Sequence, residues 1–423
     1  GIIGGSYGGN DPDDNSGDFY FVRIEFCGYR FQLNNEVNGL TMGAVGRGTN
    51  LHHVQVSYSF DDSFEWFGGT VDAKYLVAYG GTDDEFDTDF GYQGRIQFCF
   101  GLRDPFNWDP QGQSNGFESD NDGSSTSTET PYTHPIFSNV TLIGPKLYDG
   151  DPNPPFGHTY QYAAVLRRST RTTVFNSVIG GYPWGVSNRD IYTHYWSMQN
   201  ILEWKNVSIA SYAEKVVASG SVHGDDRWLP DSCTLWYDTP GDDNLGTPPR
   251  YLPDIGIAMT DITNPNPVPA VGSELDGSAD FSDAYLQDSF FQSVAYRGAF
   301  KPGDPFWKQW TAEWTSFNPQ WTDYNPVTTD IADGAPAAKA LLANFPNPFN
   351  PATMIRFSIP KSGRVSLKVY DVAGKEVASV LDREMSAGSY EMPFTASGLT
   401  SGTYFYRLKG DGFEVTNKMI LLR

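Results

Sequence analysis

Short runs of alternating apolar and polar residues recur along this chain. Val54-Gln55-Val56-Ser57-Tyr58 is followed 21 residues later by Tyr75-Leu76-Val77-Ala78-Tyr79, and 21 further on by Ile96-Gln97-Phe98-Cys99-Phe100. Val22-Arg23-Ile24-Glu25-Phe26 carries the same alternation earlier. A period of two marks half-buried strands, and one short strand in every roughly 20–30 residues is the sign of a solenoid. Stacking the runs predicts three inward ladders: Val22/Val54/Tyr75/Ile96, Ile24/Val56/Val77/Phe98 and Phe26/Tyr58/Tyr79/Phe100. Arg23, Glu25, Gln55, Ser57 and Gln97 then face outward. The pattern predicts an all-β, right-handed parallel β-helix over residues 1–325. An antiparallel jelly roll is the alternative, and it explains the spacing less well.

The solenoid pattern continues with wider spacing. Asn139, Asn176 and Asn206 each precede an apolar strand, 37 and 30 residues apart. Asn tolerates the left-handed backbone of a coil corner, and the longer spacings predict protruding loops. Residues from about 225 to 325 are loop-rich, and their aromatic clusters, Ser289-Phe290-Phe291 and Trp310-Thr311-Ala312-Glu313-Trp314, are expected to close the solenoid end. Residues 326–340 read as a linker.

A second pattern occupies residues 341–423. Ile355, Phe357 and Ile359 alternate with polar residues, as do Val365, Leu367 and Val369, and a further run begins at Tyr404, Tyr406 and Leu408. Asp371-Val372-Ala373-Gly374-Lys375 reads as a turn, and the Asn-Pro pairs at 347–348 and 350–351 disfavour helix. About six or seven short strands predict a small antiparallel sandwich. Asn344-Phe345-Pro346-Asn347-Pro348-Phe349-Asn350-Pro351, Val365-Ser366-Leu367-Lys368-Val369-Tyr370-Asp371, Ser401-Gly402-Thr403-Tyr404-Phe405-Tyr406-Arg407-Leu408 and the closing Lys418-Met419-Ile420-Leu421-Leu422-Arg423 come in one order. In that order they resemble the Ig-like C-terminal sorting domain of type IX secretion substrates. The resemblance implies handling by the type IX secretion machinery and a secreted or outer-cell-surface location. It also implies a signal sequence ahead of Gly1, and it leaves open whether the domain is removed or retained.

The large domain resembles a family of secreted β-helix proteins of Bacteroidota-type bacteria, one that brings no established activity. The residues that carry this are Tyr7-Gly8-Gly9-Asn10-Asp11-Pro12-Asp13-Asp14-Asn15-Ser16-Gly17, Phe64-Glu65-Trp66-Phe67-Gly68-Gly69-Thr70-Val71, Ser114-Asn115-Gly116-Phe117-Glu118-Ser119-Asp120-Asn121 and Tyr296-Arg297-Gly298-Ala299-Phe300. Members usually carry further coils upstream, so the resemblance implies a chain that begins inside the fold.

Charge narrows the function. The 423 residues carry a formal charge of −22, which excludes nucleic acid as a partner because such binding needs clustered Lys and Arg. It also speaks against adhesion to an anionic membrane. No run of about 18 apolar residues exists, so no membrane span is expected. Cys27, Cys99 and Cys233 are an odd, widely spaced set and are read as free thiols, not a disulfide framework.

The candidate chemistry is acidic. Asp61-Asp62-Ser63-Phe64-Glu65, Asp83-Asp84-Glu85-Phe86-Asp87-Thr88-Asp89 and Gly116-Phe117-Glu118-Ser119-Asp120 follow three successive strands, with Phe64 and Phe86 22 residues apart. Stacking puts Glu65 beside Asp87 and Asp62 beside Asp84, with Glu118 as a third member. Like charges this close need a cation or an Arg, and Arg95 and Arg103 are at hand. One reading is calcium held by Asp62, Glu65, Asp84, Asp87, Asp89, Glu118 and Asp120. A solvated acidic ridge is the second. A catalytic set of Asp62, Glu65, Asp84, Asp87 and Glu118, with Arg95 as partner, is the third. Asp11, Asp13 and Asn15 imitate the start of a calcium loop, but Ser16 and Val22 stand where its Gly and bidentate Glu belong.

His52, His53, His134, His158, His194 and His223 lack metal spacing, and alternation would put His52 and His53 on opposite faces. Trp66, Trp108, Trp184, Trp196, Trp228 and Trp236 read as loop or strand-end rings that stack on sugars, with Trp66 and Trp108 foremost; hydrophobic cover is the competing reading. The leading function is a secreted structural or binding protein with calcium-stiffened acidic loops, able to assemble into homo-oligomers or filaments or to bind an extracellular polymer such as a polysaccharide. The alternative is a carbohydrate-active hydrolase or lyase on the β-helix.

Overall fold

The computed structural model describes residues 7–32, 35–109, 114–123, 128–152, 160, 162–218, 237–238, 244–245, 248–322, 324, 342–345, 347 and 349–421. The chain divides into two units, Gly1–Phe317 and Asn318–Arg423. The 326–340 linker, His158, His223, Trp228, Trp236 and Cys233 lie outside the described residues.

Two parallel sheets form the first unit, as the stacking predicts. The nine-stranded sheet runs through Asp18–Glu25, Asn50–Ser57, Ala73–Tyr79, Arg95–Leu102 and Ile136–Ile143, then through the split pairs Thr173–Phe175/Val178–Gly180 and Trp204–Lys205/Ser208–Ala210. The seven-stranded sheet orders Leu40–Gly43, Phe64–Phe67, Phe86–Asp89, Phe117–Ser119, Tyr162–Leu166, Trp184–Asn188 and Glu214–Ala218. Every pairing in both is parallel. The core between them includes Val54, Val56, Leu76, Phe64, Trp66, Phe86, Phe117, Val140 and Trp204.

The register corrects the predicted ladders. Val54 stands opposite Leu76, which stands opposite Cys99 and then Val140. Val56 stands opposite Ala78, Gly101 and Leu142 in the same succession. Tyr75 and Phe98 are not inward. Phe21, His53, Tyr75, Phe98, Asn139, Asn176 and Asn206 all have left-handed φ between 49° and 61°, so each strand skips one residue at the same place. Two side chains then point outward in succession, and a count by twos slips by one. The Asn expectation holds at all three positions, and aromatic residues occupy the same column in the earlier coils. Their rings stack along it: Phe21 to His53 at 4.5 Å, His53 to Tyr75 at 4.5 Å and Tyr75 to Phe98 at 5.3 Å.

The aromatic C-terminal segment of this unit covers a side, not an end. Leu252, Ile255, Ile257, Met259, Leu275, Phe300 and Phe317 pack on Val77, Tyr79, Phe100, Leu102, Ile143 and Val178, the outward side chains of the nine-stranded sheet. Gln55 and Gln97 are accordingly fully buried although they face outward. The segment is a strap laid across successive coils.

The second unit is an antiparallel sandwich. Three strands, Leu342–Phe345, Ala352–Ile359 and Gly388–Thr395, form one sheet, and four strands, Glu376–Met385, Gly363–Tyr370, Gly402–Gly410 and Phe413–Leu421, form the other. The predicted inward residues Ile355, Phe357, Ile359, Val365, Leu367, Val369, Tyr404, Tyr406 and Leu408 make its core. Cys27 and Cys99 are free thiols.

Candidate functional site

Parallel register builds the acidic ladder from the strands upward. Phe64, Phe86 and Phe117 align and point into the core, with ring centroids 5.5 and 5.8 Å apart. The next residue of each strand must then face outward, which aligns Thr41, Glu65, Asp87, Glu118 and Val165. Neighbours in such a column lie about 4.8 Å apart.

The corner before these strands forms a second ladder. The Asp62 carboxylate accepts the backbone N–H of Asp84 at 2.9 Å, and Asp84 accepts that of Asn115 at 2.6 Å. The Asn115 side-chain oxygen accepts from Tyr162 N–H at 3.3 Å. Each corner side chain thus ties its coil to the next.

The two ladders meet. Asp62, Glu65 and Asp87 each offer a carboxylate oxygen within 4.8 Å of the others, and Asp61, Asp62 and Asp83 do the same. Asp62 and Glu65 are each only 7% exposed, so a solvated ridge does not describe them. Burial first, then neighbouring carboxylates, pushes Asp62, Glu65 and Asp87 well above the usual range. Asp83 is pushed up to about 8 by burial and by Glu118 and Asp61. The Oδ1 atom of Asp87 is buried without a hydrogen-bond partner. Ions with hard oxygen preference suit such a group.

Arginine neutralises the other end of the ladder. Arg167 pairs with Glu118 and, at 2.8 Å, with Asp120, which Arg168 also meets at 2.5 Å. Glu118 and Asp120 are therefore paired with arginine, while among the described residues no ion pair reaches Asp62, Glu65 or Asp87. Sequence reasoning missed these two arginines, since Arg167 lies 47 residues beyond Asp120 with no motif to join them. It also left Asp61 and Asp83 out of the ligand set.

The expected arginine partners are elsewhere. Arg95 pairs with Asp72 at 2.5 Å and with Asp288 beneath the strap. Arg103 is fully buried, pairs with Glu85 at 2.6 Å and donates to the carbonyls of Gly81, Asp83 and Asn115. It holds the backbone that carries Asp83 and Asp84 without meeting the ladder itself.

Several expected ligands have local roles. Asp89 accepts from Phe90 N–H at 2.6 Å and is pushed up to about 7, chiefly by burial. Asp11 accepts from Asp13 N–H, Asn15 from Gly17 N–H, and Asp13 pairs with Arg47 at 3.3 Å. Arg47 N–H also donates to Pro12 O at 2.8 Å, so this turn is docked on a neighbouring coil corner.

The ring expectations change too. Trp66 is wholly buried and stacks on Tyr92 at 5.3 Å, so it is a core residue and not a ligand platform. Trp108, Trp184 and Trp196 are half-buried, and Trp196 lies on the Arg171 guanidinium at 3.7 Å. His52 and His53 are on one face, with their Nδ1 atoms 2.8 Å apart, because the left-handed His53 breaks the alternation.

A long, parallel two-sheet solenoid with an acidic ladder on one face defines the class of protein. Residues 2–228 match the pectate-lyase like beta helix domain, more than half of the chain, and the protein belongs to that family. Residues 343–422 match the secretion system C-terminal sorting domain. That domain marks the protein as a type IX secretion substrate sent to the cell surface or the extracellular space. No curated protein matches the chain. A solved structure titled "Crystal structure of dimeric latent PorU from Porphyromonas gingivalis" is similar at 22% identity over 22% of this chain and 10% of that one, with a TM-score of 0.18. The chain thus spans about a tenth of that protein's length. No helix among the described residues is long and apolar enough to cross a membrane.

Proposed function

We propose that this secreted β-helix is a surface binding protein that holds calcium between Asp62, Glu65 and Asp87 and through it engages an acidic polysaccharide. The observation that carries the reading is the convergence of these three carboxylates, Asp62 and Glu65 buried and Asp87 half-buried, within 4.8 Å, with the Asp87 Oδ1 atom unpartnered. Calcium accepts oxygen ligands in flexible numbers, and its charge favours the ionised carboxylates that burial first, and mutual repulsion second, disfavour. Arg167 and Arg168, half-exposed beside Glu118 and Asp120, add positive potential next to the ion. A cation flanked by arginines suits a uronate-rich polymer, and the family's name points to that polymer class.

The test pairs calorimetry with sedimentation. Calcium binding by the full chain, lost in Glu65→Gln and Asp87→Asn, together with calcium-dependent co-sedimentation of an acidic but not a neutral polysaccharide, supports the proposal. Equal calcium binding by native and variant chains overturns it.

The second reading is a lyase or hydrolase. What favours it is the carboxyl pair of Glu65 and Asp87, pushed well above the usual range by burial and by neighbouring carboxylates, in register with the Glu118 that Arg167 pairs. Carboxylate oxygens within 4.8 Å are closer than the roughly 6.5–9.5 Å that an inverting glycosidase leaves for its water. Product release in the same polysaccharide assay selects this reading, and its absence selects binding. Self-association belongs to the proposal as well. Among the described residues Asp18–Glu25 is an edge strand of the nine-stranded sheet and exposes Phe19, Tyr20 and Phe21, a surface of the kind that favours contact with a second copy; a mass by light scattering that stays monomeric at high concentration refutes it.

A further inference from the structure

The paired histidines lie on the opposite sheet from the acidic ladder and have no part in the calcium reading. Three observations bear on them. First, the backbone aims them together: Leu51 and Val54 point into the core, and the left-handed His53 between them sends two consecutive imidazoles outward. Second, aromatic contacts hold both rings. Tyr20 lies on His52 at 4.0 Å, while Phe21 and Tyr75 sandwich His53 at 4.5 Å each and Trp314 meets its edge at 5.5 Å. Third, the two Nδ1 atoms are 2.8 Å apart with the rings 76° from coplanar. A hydrogen bond between them uses one lone pair and one proton; when that proton sits instead on Nε2 of the same ring, both rings are neutral and two Nδ1 lone pairs lie 2.8 Å apart.

The geometry discriminates between metals. Two nitrogens 2.8 Å apart, each about 2.0 Å from a shared ion, subtend about 90° at it. That is the angle between adjacent positions of the tetragonal geometry that Cu²⁺ prefers. A tetrahedral zinc ion asks for a separation of about 3.3 Å and so for movement of rings that Tyr20, Phe21, Tyr75 and Trp314 hold in place.

We propose that His52 and His53 form a chelating site for Cu²⁺, with both Nδ1 atoms in adjacent positions and water in the others. Tyr20 and Phe21 are 43% and 61% exposed, so the site opens to solvent at the lip of the strap. Calcium does not compete, because it takes oxygen donors.

Copper titration of the full chain in excess calcium, followed by electron spin resonance, tests this. The expected result is one Cu²⁺ with nitrogen couplings from two imidazoles. His52→Gln and His53→Asn should each weaken binding by at least about tenfold, since even outer-shell partners are worth that much. Asn is chosen at 53 because Asn139, Asn176 and Asn206 occupy the same left-handed column in other coils, so the variant keeps the backbone. Copper affinity unchanged in both variants, or a spectrum without imidazole couplings, overturns the site. Zinc affinity equal to that of copper overturns the geometric assignment.

Discussion

The side-chain amide of Gln97 and the backbone of Gln292, 195 residues apart, exchange two hydrogen bonds of 2.8 Å each. Gln55 does the same with Ser316, at 2.6 and 2.8 Å, and Asn176 with Asp280, at 2.8 Å both ways. An outward amide offers one donor and one acceptor, as a peptide group does, so the strap pairs with side chains where it finds no strand edge. The coils thereby bury a second apolar layer on their outer face.

Breaking one such pair should loosen the strap. Gln97→Ala removes both hydrogen bonds to Gln292 and the one to Asn139 Oδ1, for an expected loss of about 1–3 kcal/mol. Urea unfolding of native and variant chains measures it. A loss within error of zero would show that the strap contributes nothing at this point.

The left-handed column makes a prediction about ordering. Asn176 has φ 49°, where a β-branched residue is strained by about 1–3 kcal/mol. Asn176→Gly keeps the conformation but drops the amide pair, whereas Asn176→Val loses both. Melting temperatures should fall in the order native, Gly, Val; a Val variant as stable as the Gly variant contradicts the assignment.

The acidic cluster sets a pH dependence whose sign runs against ordinary acid denaturation. Asp83 and Asp89 titrate at about 8 and about 7 in the folded chain and near about 4 when unfolded. The folded state therefore holds more protons between those values, and its stability falls as pH rises from about 4 to about 8. In chelator, the melting temperature should be higher at pH 5 than at pH 8, and calcium should recover most of the difference at pH 8. Asp87→Asn, which removes one charge from the group, should flatten the slope.

Arg167 sets the local charge balance. Arg167→Gln removes the ion pair of Glu118, leaving it only the more distant charges of Arg189 and Arg168, and leaves Asp120 paired with Arg168. Two consequences oppose each other: the calcium-free chain loses about 1–3 kcal/mol, and calcium binds several-fold tighter through the added negative potential. Calorimetry at low ionic strength reads the second, and weaker calcium binding in this variant would place the ion elsewhere.

Much of the site was legible because position within a coil is a sequence property. Glu65, Asp87 and Glu118 each follow a buried Phe by one residue, so any parallel stacking of those strands aligns them. The same logic identified Asn139, Asn176 and Asn206 as left-handed corners. It failed at Tyr75 and Phe98, where an aromatic residue takes the left-handed place; its apolar character reads as an inward position. The skipped residue then moved Leu76 and Cys99 into the ladders assigned to their neighbours, and it turned His52 and His53 to one side.

Local alternation and repeat spacing thus determined by themselves a parallel solenoid followed by an antiparallel sandwich, together with the acidic column on one sheet, because periodicity is written residue by residue. Tertiary structure alone decided which carboxylates remain unneutralised, where Arg95, Arg103, Arg167 and Arg168 find partners, and that Trp66 is core. It alone laid the aromatic C-terminal segment along the side of the coils. Those outcomes depend on contacts between residues tens to hundreds of positions apart, and no period in the chain encodes which distant side chain arrives to complete a buried charge or an outward amide.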